Sequence, residues 1–221
     1  MATIHIYNHE TGKLERYIRE LNEPMPYNVA GTLTVREFVQ GNKIAWTDVE
    51  TMRAWNNLCS NHGKPINVLE AFRSISLTPC PKNKRYHYLG LAFRLSCDKA
   101  EDLPALHAAA VESEAFSFVG PIEKESESFE VDKRYMPGGV FLIEGLPVII
   151  KGMENHYVMF IQSALNLYGY PLVLDGVFGK NTAAAVRRFQ RDAFLSEDGI
   201  VDRLEWEALF NTSCLPEFRA C

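Results

Sequence analysis

The sequence predicts an α+β fold: a β-hairpin, then helices packed on a small, largely antiparallel sheet, then a compact three-helix module. Three observations predict it. Short strand-like runs ("INVLEAF", "LGLAFRLSC", "SFEVDKRY") are interspersed with two longer helix-like stretches across the first two thirds of the chain. A Pro/Gly-containing stretch, "MPGGVFLIEGLPVIIKG", interrupts the pattern. Beyond it a turn-then-helix unit occurs twice, with Asp175-Gly176-Val177 matching Asp198-Gly199-Ile200.

The elements follow in order. "TIHIYN" and "KLERYI" flank "HETG", two alternating runs about a turn, which predicts a β-hairpin within residues 1–30; "NEPMPYN" is its extended connector. Residues 31–137 form the central segment. Its helix "TDVETMRAWNNLCSNHG" is expected to be capped by Thr47, with Glu50 three residues on and Gly63 after its end, and it sets Met52, Trp55 and Leu58 on one face. "DLPALHAAAVESEAF" is a second helix. Residues 138–150 read as a linker and 213–221 as a tail. Between them, residues 151–212 hold the three-helix module: "YVMFIQSALNLYGY", ended by Gly169, then "DGVFGKNTAAAVRRFQRDA" and "EDGIVDRLEWEALF". Asn181 or Thr182 is the expected cap of the middle helix.

Composition excludes several classes. A net charge of -5 gives no electrostatic footprint for nucleic acid. The longest apolar run is broken by Gly145 and Pro147 and is too short to span a bilayer. The opening residues show no secretory signal, which predicts a chain that is cytoplasmic as synthesised. Five scattered cysteines without CxxC pairs read as free thiols. No G-x-S-x-G elbow, P-loop or dinucleotide fingerprint occurs, and "EKESESFE" reads as a solvated acidic loop.

The motif Gln162…Asp175-Gly176-x-Phe178-Gly179-x-x-Thr182…Phe189-Gln190 resembles the peptidoglycan-binding domain attached to many bacterial cell-wall hydrolases. The resemblance implies peptidoglycan as partner, and with it the cell wall or a spore envelope as destination. In the second copy Asp202 stands where glycine is usual and Glu205 where threonine is usual, which predicts a distorted end.

The central segment carries "LTVREF", "GKPINVLEAFRS", "YHYLGLAF" and "FEVDKRY" in that order. Together they resemble the zinc D,D-carboxypeptidase and peptidoglycan endopeptidase superfamily. The resemblance implies a site of two histidines and an aspartate holding zinc, with a fourth position for the attacking water. Carried over residue by residue, His87 is the first histidine, with Gly90 and Ala92 inside its motif, but Arg94 stands at the aspartate and Glu130 at the second histidine; Asp132 is matched, and Arg73 matches an arginine near the cleft that suits a substrate carboxylate. Arginine has no lone pair for a metal. At about 4 Å a guanidinium and a zinc dication repel by roughly 8 kcal/mol at an effective dielectric near 20. The expectation is therefore a vestigial site (His87, Arg94, Glu130, Asp132) in which Arg94 and Glu130 pair, with no cofactor, and a non-catalytic chain that recognises peptidoglycan or its stem peptides. Two alternatives stand beside it. One is an active metallopeptidase holding zinc through His87, Glu130 and Glu127. The other is an envelope or spore structural protein that contacts other envelope proteins.

Overall fold

A computed structural model of the chain describes residues 1–29, 31–76, 84–134, 141–142 and 146–211. The tail at 213–221 and part of the linker lie outside the described residues. The architecture is α+β, in two compact units: residues 1–11, 15–74 and 86–135, and residues 12–14, 75–85 and 136–221. Among the described residues no helix is long and apolar enough to cross a membrane.

The first unit holds two sheets. Strands β1 (Ala2–Asn8) and β2 (Lys13–Arg19) make the expected hairpin. A short helix α1 (Val35–Val39) follows, with Thr34 and Glu37 forming a reciprocal capping box. Strand β3 (Ile44–Asp48) then pairs parallel with β1, from Thr3 opposite Ile44 to Tyr7 opposite Asp48. The hairpin is thus not a separate piece. It shares a sheet, in the order β2-β1-β3, with the central segment, and that sheet is mixed instead of antiparallel throughout.

Helix α2 (Val49–His62) ends at Gly63 in the left-handed region, and Met52, Trp55 and Leu58 are fully buried, as the spacing predicts. Its cap is Asp48, not Thr47: β3 runs one residue further, and the Asp48 carboxylate accepts from Thr51 N at 2.7 Å. Thr47 instead donates its hydroxyl to the Gly90 carbonyl at 2.7 Å.

The second sheet, in the order β4-β5-β7-β6, is antiparallel. It comprises β4 (Asn67–Glu70), β5 (Ala92–Ser96), β6 (Phe118–Val119) and β7 (Phe129–Asp132). A single-turn helix α3 (Arg85–Tyr88) precedes β5, and α4 (Leu103–Glu112) precedes β6. The core is aromatic: Trp46 meets Phe72 edge-on at 4.7 Å between centroids, and Trp55 meets Phe93 at 5.1 Å. Each large side chain buried this way contributes about 1.5–3 kcal/mol relative to exposure.

The second unit contains β8 (Phe141–Leu142) paired with β9 (Leu146–Pro147), and helices α5 (His156–Leu167), α6 (Lys180–Asp192) and α7 (Arg203–Phe210). The end of the expected linker is part of this unit: Ile149 and Val201 exchange both backbone hydrogen bonds at 2.9 Å, and Trp206 Nε1 donates to the Pro147 carbonyl at 2.7 Å. The α6 cap is Gly179, one turn ahead of the expected Thr182 and two residues ahead of Asn181, and no side chain caps it.

Candidate functional site

Two places gather the residues singled out by sequence. The first lies on the β4-β5-β7 sheet. Gly90 sets it up: at φ 72° it lets the turn after α3 press against β3, where a Cβ would stand 1.7 Å from the Trp46 carbonyl oxygen. This turn buries His87 completely.

Register brings the charged residues together. Glu70 lies opposite Arg94, and Arg94 opposite Glu130, a row across three strands. The Arg94–Glu130 pair expected from their opposite charges is replaced by two other contacts. His87 Nε2 meets Glu130 Oε2 at 2.6 Å. The Arg94 guanidinium reaches along the strands to Ser128 Oγ (2.9 Å), Ser126 Oγ (2.7 Å) and Glu123 Oε2 (2.7 Å). A long guanidinium satisfies several acceptors in a fork, whereas the buried imidazole hydrogen-bonds one carboxylate, that of Glu130. The acidic run "EKESESFE" is accordingly more than a solvated loop, because its Glu123 and Ser126 hold Arg94.

The other matched residues are also engaged. Arg73 pairs with Glu70, and its guanidinium stands 5.9 Å from the Tyr88 ring centroid. Asp132 accepts two bonds from Arg134, at 2.7 and 3.0 Å, while burial pushes its carboxyl up from the usual range. A small polar cleft of about 300 Å³ opens beside Glu70 and Arg73, lined also by Gln40, Asn42, Phe72 and Ser74.

Zinc fits this arrangement poorly. His87 Nδ1 lies 2.6 Å from the Ala71 carbonyl and Nε2 lies 2.6 Å from Glu130. The Ala71 contact orients the ring, and the Glu130 contact occupies the nitrogen that faces the cluster. A zinc between His87 and Glu130 would hold ligands about 2.0–2.2 Å from itself, which a direct 2.6 Å contact does not admit. One imidazole and two carboxylates do converge, with one donor atom each from Glu70, His87 and Glu130 within 4.8 Å of one another. The third group of this cluster is Glu70, where the sequence suggested Glu127. Glu127 is exposed in the turn before β7, at φ 45°, whereas the β4–β5 register delivers Glu70. Sequence reasoning missed Glu70, whose only signal is its place three residues before Arg73.

The second place is the C-terminal module. Gln162, on α5, is buried and acts as a hub: its Nε2 donates to Asp175 Oδ1 (2.7 Å), the Val177 carbonyl (3.1 Å) and Thr182 Oγ1 (3.2 Å). Its Oε1 accepts from the backbone of Asp175 (3.1 Å) and Gly176 (2.9 Å). Gly176 sits at φ 70°, in the left-handed region. Gln190, on α6, repeats this for the second copy. Its Nε2 reaches Asp198 Oδ1 (2.9 Å), the Ile200 carbonyl (3.0 Å) and Glu205 Oε1 (3.1 Å), and its Oε1 accepts from Gly199 N at 2.8 Å. The second copy is not distorted. Glu205 takes the acceptor role of Thr182, and Asp202 with Glu205 forms a capping box on α7.

Phe178 and Phe189 are buried, and Phe189 stacks on Tyr168 at 5.9 Å. Gly179 and Thr182 line a groove of about 630 Å³, together with Gln162, Asp175, Tyr170, Val173, Lys180, Asn181 and Arg188. Sequence reasoning had no signal for Lys180 and Arg188, which are two among several exposed basic residues.

Residues 155–209 match the family model described as "Putative peptidoglycan binding domain". The match lies inside the 151–212 module and contains every residue of the Gln162–Gln190 motif. The chain thus carries a peptidoglycan-binding domain at its C-terminal end. A solved structure, a peptidoglycan-binding protein from Clostridioides difficile in complex with glutamine hydroxamate, is 19% identical over 72% of this chain and 83% of that one, at a TM-score of 0.29.

Proposed function

We propose that this chain is a non-catalytic peptidoglycan-binding protein of the cell envelope, with a central unit that descends from a zinc D,D-peptidase and has lost its metal. The C-terminal domain attaches the chain to the wall. The observation that carries the non-catalytic part is the direct 2.6 Å contact of His87 Nε2 with Glu130, which leaves no room for a zinc ion between them. Electrostatics support it: Arg94, at the position of a ligand in the resembled family, is neutralised by Glu123. The small cleft beside Arg73 remains suited to a stem peptide, because a guanidinium recognises a carboxylate through two parallel hydrogen bonds.

The convergence of Glu70, His87 and Glu130 favours a second reading, a metallopeptidase with an altered ligand set. Incubating the full chain with purified sacculi in zinc-containing buffer separates the two. The first reading expects the chain to sediment with the sacculi and to release no new amine ends. Release of amine ends that stops on chelation would establish the second, and failure to sediment would remove the first.

A further inference from the structure

We propose that the groove of the C-terminal module binds the carboxylate-bearing stem peptide of peptidoglycan, through Arg188 and Lys180, and not the glycan strand. The proposal rests on the peptidoglycan-binding reading above and assigns the part of the polymer that this groove takes.

The groove is shaped by the segment from Tyr170 to Val177 and the first turns of α6. Two cations line it. No carboxylate among the described residues forms an ion pair with Lys180 or Arg188, whereas nearby Arg191 pairs with Glu197 at 2.6 Å. Asp192, one helical turn from Arg188, is engaged by the Tyr170 hydroxyl. Asp175, the acid in the lining, has its Oδ1 bound by Gln162 and by Val177 N. The lining therefore carries two cations against one acid.

The wall also carries aliphatic surface open to solvent: Val173 is 75% exposed and Val177 39%. Charged donors beside small aliphatic surface suit a peptide of alanine methyls and free carboxylates. A glycan would call for an exposed aromatic face. The aromatic residue of this lining, Tyr170, is only 2% exposed, and the Arg188 guanidinium sits 5.5 Å from its ring centroid. The second copy offers an anion no equivalent place, because Asp202 and Glu205 stand where the first copy has Gly179 and Thr182.

The test uses the full chain and two soluble probes: the pentapeptide L-Ala-γ-D-Glu-L-Lys-D-Ala-D-Ala, and glycan strands stripped of peptide by amidase digestion of sacculi. The pentapeptide should bind and the stripped glycan should not. Arg188→Ala should weaken pentapeptide binding about tenfold or more, the effect of losing a hydrogen bond to a charged group, with a smaller loss for Lys180→Ala. Arg191→Gln, an equal charge change outside the groove, should bind as wild type. Arg73→Ala separates any binding in the central cleft. Stripped glycan that binds as well as sacculi would overturn the proposal, as would undiminished pentapeptide binding by both groove variants. Either result would leave the peptidoglycan-binding reading standing. Loss of binding to intact sacculi by the unaltered chain would instead remove that reading itself.

Discussion

The two halves of the C-terminal module build one hydrogen-bond hub with different chemistry at its rim. In the first copy Gln162 meets the Thr182 hydroxyl, and the backbone N–H of the cap residue Gly179 is spent on the Val177 carbonyl at 2.8 Å. In the second copy Gln190 meets the Glu205 carboxylate, and the N–H of the cap residue Asp202 is turned to the other oxygen of that carboxylate at 3.0 Å. The turn geometry is common to both, Gly176 at φ 70° and Gly199 at φ 77°. The carboxamide at the centre is what the fold requires. The residue three places into each helix need only accept from it, and the cap must match that choice. The consequence for binding is a first copy whose helix start is open to a groove and a second copy whose helix start is closed by two acids.

The comparison can be broken at its centre. Gln162→Ala would leave the buried N–H of Gly176 and the groups around it without partners, at about 1–3 kcal/mol for each unsatisfied group. It should lower stability most, by roughly 3 kcal/mol, measured as a shift in the denaturant midpoint. Thr182→Glu tests the matching rule. The new carboxylate would be buried with no cap N–H to receive it, so a loss of about 2 kcal/mol is expected, and binding to sacculi should fall as well. Gly199→Ala should cost about 1 kcal/mol through its left-handed backbone, because the neighbour a Cβ would approach, at 3.0 Å, is the flexible end of Arg187.

The smallest effect is Glu205→Thr, which copies the first half into the second and should change stability by less than about 1 kcal/mol near neutral pH. It should be visible in the pH dependence. Burial pushes the Glu205 carboxyl above its ordinary value of 4.5, so the folded unit holds this proton more tightly than the unfolded chain does. Stability gained from this residue is fully present below 4.5 and is lost as pH rises through the folded value. Glu205→Thr should remove that gain, flattening a plot of midpoint against pH across the window above 4.5. An unchanged slope would contradict the assignment.

How much of this was legible in the sequence depended on range. Met52, Trp55 and Leu58 announced the buried face of α2 because helical periodicity is local. The five-residue α1 is too short for a periodic signal, although its Thr34–Glu37 capping box is written in the sequence. The parallel pairing of β1 with β3 joins strands some 40 residues apart, which no local pattern encodes. In the C-terminal module the Gln162 motif was legible as a resemblance, while the equivalence of Glu205 to Thr182 needed the geometry of the cap. In the central unit the residues were found but their pairing was not. The register sets Glu70 and Glu130 on either side of Arg94, yet the guanidinium reaches past that row to Glu123, a choice of side-chain direction that no local pattern encodes.

The central proposal is that the His87–Glu130 contact and the Arg94–Glu123 ion pair leave no room for a zinc ion. Its most direct test is the zinc content of the full chain after equilibration with excess zinc and gel filtration, compared with the double variant Arg94→Asp, Glu130→His. The wild-type chain should hold far less than one zinc, and the double variant should gain zinc, because His87 Nε2 is released from Glu130. One zinc per wild-type chain, lost on His87→Ala, would contradict it.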